Sequence, residues 1–200
     1  MSIEATDVDQ LVTQLLSALL IRVDDKPPLD CSGTTWDFVE RYDLRIDGQR
    51  FDPIGYSHWK DGPYEDMHRA IVAQTGAQCG KSVWVMARLL QELIRRWGSM
   101  FGYYFPDFFL PRAFSSQRFK PFVESSEELG KWLGRTGKMG DGTNQVLTRT
   151  FGASTAFFLS VKGTTSTEGL PLAGIVYDEV RRMASGDVQR VEERTSAQTN

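Results

Sequence analysis

The chain has 200 residues, which suits a single domain, and its 40% hydrophobic content is enough for one core. Its 23 basic and 26 acidic residues give a net charge of -3. This balance excludes a protein coated in positive charge, so DNA binding would need a local basic patch. The two cysteines indicate no disulfide framework and fit a reducing compartment. Acidic residues near the start and an apolar stretch limited to residues 11–21 indicate a soluble, cytoplasmic protein without a membrane segment.

The first part of the chain is predicted to be helical and irregular. An apolar stripe predicts a helix over residues 7–22, and a double proline marks the linker that follows it. Thr34 or Thr35 is expected to cap a short helix that ends near Tyr42. The predicted units are an N-terminal helix and linker, 1–33, and a globular domain, 34–200.

From residue 69 onward, strands and helices are predicted to alternate. Interleaved strands and helices indicate the α/β class, with a mostly parallel sheet covered by helices on both faces. The predicted strands are 69–74, 102–106, 146–151, 156–161 and 173–177, the predicted helices 81–97, 110–122 and 187–195, and the predicted loops 134–144 and 163–169.

The segment between the first predicted strand and the following helix has the pattern of a phosphate-binding loop. Backbone N–H groups of such a loop wrap a phosphate, and the helix N-terminus adds partial positive charge. Lys81 would reach the β- and γ-phosphates, and Ser82 would bind Mg²⁺ through its hydroxyl. Thr75 stands where the strict pattern has glycine, so an incidental lysine in a glycine-rich turn is the alternative. The predicted nucleotide-binding residues of the loop are Gly76, Ala77, Gln78, Cys79, Gly80, Lys81 and Ser82.

A second motif is an apolar strand, 173–177, followed directly by two carboxylates. Asp178 would belong to the Mg²⁺ shell, and Glu179 would polarise the attacking water as a general base. Two solvated acids at a strand end are the alternative. The lysine loop and the acidic strand occur in this order, about a hundred residues apart. Together they favour an ATP-binding and Mg²⁺-binding P-loop ATPase in which Lys81 and Glu179 are catalytic.

From about Trp36 onward, the chain resembles the ATPase domain of tailed-phage terminase large subunits. The segment 78–82, Gln-Cys-Gly-Lys-Ser, is similar to the family's Gln-x-Gly-Lys-Ser/Thr loop. The segment 177–180, Tyr-Asp-Glu-Val, is similar to its acidic motif. Residues 103–121 resemble the family's strand–Pro–helix segment, and residues 162–172 resemble the loop before the acidic strand. The resemblance implies a RecA-like P-loop NTPase fold.

The resemblance also implies a function and partners. It implies a motor that hydrolyses ATP to move double-stranded viral DNA into a procapsid. The implied partners are a portal protein and a small terminase subunit, with a homo-oligomeric ring assembled on the portal in the host cytoplasm. In the family, the segment similar to residues 51–64 lies beside the adenine. Phe51, Pro53 or Tyr56 would stack on the base there, unless these residues pack the N-terminal part of the core.

Two departures from the family pattern bear on these expectations. Ala77 stands where some members have an arginine that acts on the nucleotide in cis, so a finger would come from elsewhere. The chain stops before the family's Ser/Thr-rich coupling motif and its nuclease domain. We therefore expect a fragment or the motor piece of a split gene, without DNA cleavage. The candidate fingers are Arg112, Arg118, Arg135, Arg149 and Arg190.

Two other functions compete with the motor. A superfamily-2-like helicase or repair ATPase shares the acidic strand, but it needs a second RecA-like domain for which the chain has no room. A non-catalytic assembly protein would keep only the fold, and the intact Lys81, Ser82, Asp178 and Glu179 argue against it.

Two further features have simple interpretations. For Arg95 and Arg96, at the end of a predicted helix, we favour compensation of the helix dipole over DNA contact. For Cys79, we favour a packed small side chain over a reactive thiol.

Overall fold

The computed structural model describes residues 29–50, 60–75, 79–133, 146–162 and 171–196. The predicted N-terminal helix and the predicted loops 134–144 and 163–169 lie outside the described residues. The helices are α1 (Thr35–Arg41), α2 (Lys81–Arg95), α3 (Leu110–Phe114), α4 (Lys120–Glu124), α5 (Glu127–Gly130) and α6 (Ser185–Ser196). The strands are β1 (Arg45–Ile46), β2 (Gln49–Arg50), β3 (Met100–Phe105), β4 (Thr148–Phe151), β5 (Ser154–Ser160) and β6 (Gly174–Tyr177). Among these helices, none is long and apolar enough to cross a membrane.

A four-stranded sheet in the order β4-β5-β3-β6 forms the centre of the domain. Strand β3 pairs in parallel with both β5 and β6, whereas β4 and β5 form an antiparallel hairpin. The predicted hairpin and the strands around residues 102–106 and 173–177 are therefore confirmed. Strands β1 and β2 pair separately as a short antiparallel ribbon. The mixed, mostly parallel sheet confirms the predicted α/β class.

The side chains of β3 alternate between two cores because successive residues of a strand point to opposite faces. Phe101, Tyr103 and Phe105 belong to the larger core, which includes buried residues of α1, α2, α3 and α4. Tyr104 belongs to a smaller core with Val191 of α6. Helices therefore cover both faces of the sheet, as predicted.

Between β3 and β4 the chain is helical from Leu110 to Glu124, which confirms the predicted helix of 110–122. A π-helical turn, Ser115–Phe119, joins α3 to α4. Phe114 and Phe119 are buried and place this helical run against the sheet, where both rings contact Phe158 of β5. The run therefore starts at the carboxyl end of β3 and lies over the face that carries Tyr103.

Helix α1 is fixed at its start and docked on α2. Thr34 is the N-cap: its hydroxyl accepts a hydrogen bond from the Asp37 N–H at 3.1 Å, and Asp37 Oδ2 accepts one from the Thr34 N–H at 2.7 Å. This reciprocal arrangement satisfies two N–H groups at the helix start. The buried Gln91 of α2 accepts a hydrogen bond from the Thr35 hydroxyl at 2.9 Å. Its amide donates to the carbonyl oxygens of Cys31, Gly33 and Thr34.

The C-terminal end of α2 carries a cluster of four charges centred on Glu92, whose side chain is 11% exposed. The Glu92 carboxylate lies 3.4 Å from Arg88, 2.9 Å from Arg95 and 3.1 Å from Arg96. Arg95 also donates to the carbonyl of Cys31, and Arg96 to that of Ala173 at the start of β6. The two arginines at the helix end are therefore held within the domain by a glutamate and by backbone carbonyls.

The predicted strand over residues 69–74 is wrong. Residues 71–75 have no regular secondary structure, and Val72 is 93% exposed. A strand needs a neighbour that takes up its backbone hydrogen bonds. In the described part of the chain, no strand pairs with this segment. Ile71 does pack against the larger core, so the apolar pattern reflects one packed side chain and not a sheet strand.

Candidate functional site

The site begins at the N-terminus of α2, where Gly80 is the N-cap and Lys81 the first helical residue. Gly80 has a φ of 85° and a ψ of 4°, a left-handed conformation that favours glycine. A glycine cap has no side chain to accept the first helical N–H groups. Gly80 therefore leaves the positive end of the α2 dipole without a side-chain cap, and such a helix start suits an anion.

The acidic strand β6 ends beside this helix start. The backbone N–H of Asp178 donates to the Tyr104 carbonyl at 3.0 Å, so the β3–β6 ladder extends to the first acid. Asp178 Oδ1 lies 3.1 Å from Lys81 Nζ, with the two side chains 14% and 34% exposed. The two motifs found in the sequence therefore meet through an ion pair shielded from much of the solvent.

Tyr103 completes the surroundings of Asp178, and sequence reasoning gave it no functional role. Its hydroxyl donates to Asp178 Oδ2 at 3.1 Å, and the residue is 1% exposed. Burial raises the pKa of Tyr103 well above its usual value, the charge of Asp178 and their hydrogen bond raise it further, and the positive charge of Arg118 opposes them. The phenol is therefore a neutral donor at physiological pH.

The register of the parallel ladder explains why Tyr103 meets this acid. Tyr103 pairs with Val176, which lies two residues before Asp178. Residues two apart in a strand share a face, so Tyr103 and Asp178 lie on the same side of the sheet. A tyrosine on a neighbouring strand is visible in the sequence, but its contact with Asp178 can be predicted only once the register between the two strands is known.

Glu179 follows in a left-handed conformation, with φ of 55° and ψ of 41°, and starts the 3₁₀ turn Val180–Arg182. Arg182 Nη1 lies 2.5 Å from Glu179 Oε2, and Arg182 Nη2 lies 3.9 Å from Asp107 Oδ2. Asp107 in turn accepts hydrogen bonds from the Phe109 and Leu110 N–H groups at the start of α3. Arg182 thus joins the acidic motif to the turn that leaves β3.

The oxygen donors around Lys81 fit a magnesium ion. Asp178 offers a carboxylate, and Ser82, half-buried in the first turn of α2, offers a hydroxyl. Mg²⁺ prefers such hard oxygen ligands and takes only one or two from the protein, because substrate phosphates and water supply the rest. Within the described ranges, no group of three or more His, Cys, Asp or Glu residues is arranged to hold a metal ion.

The other predicted site residues divide between described and undescribed parts of the chain. Cys79 is half-buried and packs against the larger core, which supports the packed interpretation of this thiol. Gly76, Ala77, Gln78, Phe51 and Tyr56 lie outside the described residues.

The candidate arginine fingers are separated by their burial. Arg149 is 5% exposed, and its Nε donates to the Ser115 hydroxyl at 2.9 Å, so it belongs to the interior. Burial also lowers the pKa of Arg149. Arg112 and Arg118 are exposed on the helical run after β3, and Arg190 is bonded to Asp187 within α6. Arg135 lies outside the described residues.

The sheet with helices on both faces, and the lysine and acids at one edge of it, define an α/β domain of the P-loop NTPase class. A family model that describes the ATPase domain of the phage terminase large subunit gpA matches residues 61–197. Because this match covers more than half of the chain, the chain belongs to the family of phage terminase large subunit ATPase domains. No curated protein and no solved structure matches the chain.

Proposed function

We propose that the chain binds ATP with Mg²⁺ and hydrolyses it as the motor domain of a phage terminase, to move double-stranded DNA into a procapsid. The observation that carries the proposal is the 3.1 Å contact between Lys81 and Asp178. It joins the start of α2 to the end of β6, where a phosphate-binding lysine and a metal-binding acid are needed together. Membership of the terminase ATPase family supports the same function.

In this proposal, Lys81 exchanges one anionic partner for another. In the structure, Lys81 is paired with Asp178. A triphosphate carries more negative charge than a single carboxylate, so Lys81 turns to the β- and γ-phosphates when ATP binds. Asp178 and Ser82 would then be available to hold Mg²⁺. The ion would supply positive charge against the negative charge that develops on the phosphates.

Glu179 acts as the general base that orients the attacking water. Its carboxylate is 39% exposed and is held by Arg182 at 2.5 Å. It follows directly after Asp178, so the base and the metal ligand leave the same strand end. This adjacency lets one strand position both the water and the metal shell.

An arginine finger is expected from Arg112 or Arg118, which are exposed on the helical run after β3. Arg149 is unsuitable because its guanidinium is buried against Ser115. Such a finger supplies charge to the transition state and is worth roughly 10³-fold or more in rate. The proposal includes a homo-oligomeric ring in which a neighbouring copy supplies this residue, with the portal protein and the small terminase subunit as partners.

The test is ATP binding and ATP hydrolysis by the wild type and by Glu179→Ala, with and without DNA and portal. We expect tight ATP binding by both proteins and negligible turnover by the variant. Glu40→Gln, at an exposed glutamate of α1, is the matched control and should hydrolyse ATP as the wild type does.

Three outcomes would contradict the proposal. Absence of ATP binding by the wild type removes the nucleotide site. Separation of DNA strands by the chain favours the helicase alternative. ATP binding without turnover, even with DNA and portal present, favours the non-catalytic assembly protein.

A further inference from the structure

We infer that Tyr103 is a positioning residue that holds one oxygen of Asp178 while the other passes from Lys81 to the magnesium shell. The inference rests on the proposed function. It adds a role for a residue on the neighbouring strand, which is neither in the phosphate loop nor in the acidic motif.

The first support is that the two oxygens of the Asp178 carboxylate have different partners. Oδ1 lies 3.1 Å from Lys81 Nζ, and Oδ2 accepts a hydrogen bond from the Tyr103 hydroxyl at 3.1 Å. The Asp178 side chain is only 14% exposed, so protein groups and not water provide much of its surroundings. A carboxylate bound at both oxygens is fixed in rotation about its last bond.

The second support is that the two partners differ in freedom. The Lys81 side chain is 34% exposed and reaches its partner through a long flexible stem. Tyr103 is 1% exposed, and its ring contacts Phe105 and Phe114 with centroids 4.8 Å apart in each case, and Phe158 at 5.8 Å. The phenol is therefore held by packing, and only the lysine can leave.

The consequence is that the two oxygens of the Asp178 carboxylate have different roles. When Lys81 turns to the phosphates, Oδ1 is released, but Oδ2 remains bonded to the Tyr103 hydroxyl. Asp178 then meets the metal shell in a fixed orientation and does not have to be ordered at that moment. Hydrogen bonds to metal ligands from outside the shell are typically worth 10- to 100-fold in metal affinity.

The experiment compares Tyr103→Phe with the wild type. The affinity of each protein for a fluorescent ADP analogue is recorded while Mg²⁺ is added. Removing the hydroxyl keeps the ring and its packing, so we expect unchanged affinity in EDTA. Added Mg²⁺ should strengthen the binding of the analogue, and the midpoint is the Mg²⁺ concentration that gives half of this increase in affinity. We expect the midpoint to be about tenfold higher in Tyr103→Phe. Tyr104→Phe is the matched control, because Tyr104 is a buried tyrosine of the same strand on the opposite face. It should leave the midpoint unchanged.

A second measurement shows whether Tyr103 acts through Asp178. The same substitution is made in the Asp178→Ala background, where the remaining Mg²⁺ dependence comes from the nucleotide. Tyr103→Phe should then have no further effect on the midpoint. An equal shift in both backgrounds, or a midpoint equal to that of the wild type, overturns the role of Tyr103 while leaving the proposed function intact. If the wild type binds no nucleotide at all, both proposals are overturned.

Discussion

The two ends of α2 carry charge clusters of opposite design. At the N-terminal end, a single lysine pairs with one carboxylate of another element, Lys81 with Asp178 at 3.1 Å. At the C-terminal end, three arginines converge on one carboxylate of the same helix, Glu92. Arg95 and Arg96 are held further by the carbonyls of Cys31 and Ala173.

The difference shows how one helix can contribute to the proposed nucleotide site at one end and to the stability of the fold at the other. An arginine that is bonded to several fixed acceptors stays in place. The Glu92 end therefore holds α2 against the segment before α1 and the start of β6. A cation with one charged partner can be drawn away by a stronger anion. We therefore expect substitutions at the Lys81 end to alter nucleotide binding, and substitutions at the Glu92 end to alter folding stability.

The largest effect is expected for Lys81→Met. The change removes the charge that would contact the phosphates, and loss of one such group typically costs about 10²- to 10³-fold in turnover. ATP hydrolysis and ATP affinity are the measurements. Lys120→Met is the control, because Lys120 pairs with Glu124 on an exposed face of α4. Hydrolysis of ATP by Lys81→Met at the wild-type rate would contradict the proposed role of the Lys81 end of α2.

Glu92→Gln is expected to destabilise the fold without affecting nucleotide affinity. It leaves Arg88, Arg95 and Arg96 close together without their common anion. Breaking a buried pair costs about 3–5 kcal/mol, and the partial exposure of these arginines reduces our expectation to about 2 kcal/mol. The free energy of unfolding from urea titration tests this. Glu127→Gln provides the contrast: its pair with Lys131 is exposed, with Glu127 at 91%, and should contribute almost nothing. Equal effects of the two substitutions would contradict the framework role.

Gln91→Leu is expected to lower stability by a comparable amount, about 1–3 kcal/mol. Leucine has a similar size but cannot donate to the carbonyls of Cys31, Gly33 and Thr34, nor accept from Thr35. Thermal unfolding is the measurement. Because Gln91 is completely buried, the loss should appear as a lower Tm with an unchanged KM for ATP. A changed KM together with an unchanged Tm would instead assign Gln91 a role in nucleotide binding.

The smallest effect is expected for Arg182→Gln. The Arg182 and Glu179 side chains are 54% and 39% exposed, and pairs this exposed are worth about 0–1 kcal/mol. If the pair helps to hold the general base, kcat falls about threefold with KM and Tm unchanged. Arg45→Gln, in the exposed pair with Asp43, is the control and should leave kcat unaffected. A fall of the same size in both variants would remove Arg182 from the site.

The sequence predicted the parts of the fold that depend on local pattern. The helix that forms α2, the cap at Thr34 and the β4–β5 hairpin were each predicted from their own segments of the chain. The supposed strand at 69–74 failed because a strand depends on its neighbour as well as on its own residues. Its apolar residues behave differently from one another: Ile71 packs against the core, and Val72 is 93% exposed.

The site shows the same limit. Lys81 and Asp178 stood out because each belongs to a motif, yet their contact joins two distant elements and cannot be read from either motif alone. Tyr103 was missed because its role depends on the register between β3 and β6. Arg149 looked like any other arginine in sequence, and only packing shows that its guanidinium lies in the interior beside Ser115.

The aromatic packing around Tyr103 has a practical consequence. Its ring lies among Phe105, Phe114 and Phe158, and Phe119 contacts the last of these. Rings fixed in an asymmetric interior give near-ultraviolet circular dichroism, a signal that is lost when side-chain packing is lost. Because the Tyr103 hydroxyl is bonded to Asp178, a change of partner at that carboxylate reaches the edge of this group of rings. We therefore expect near-ultraviolet circular dichroism to report on the proposed nucleotide site without an attached dye.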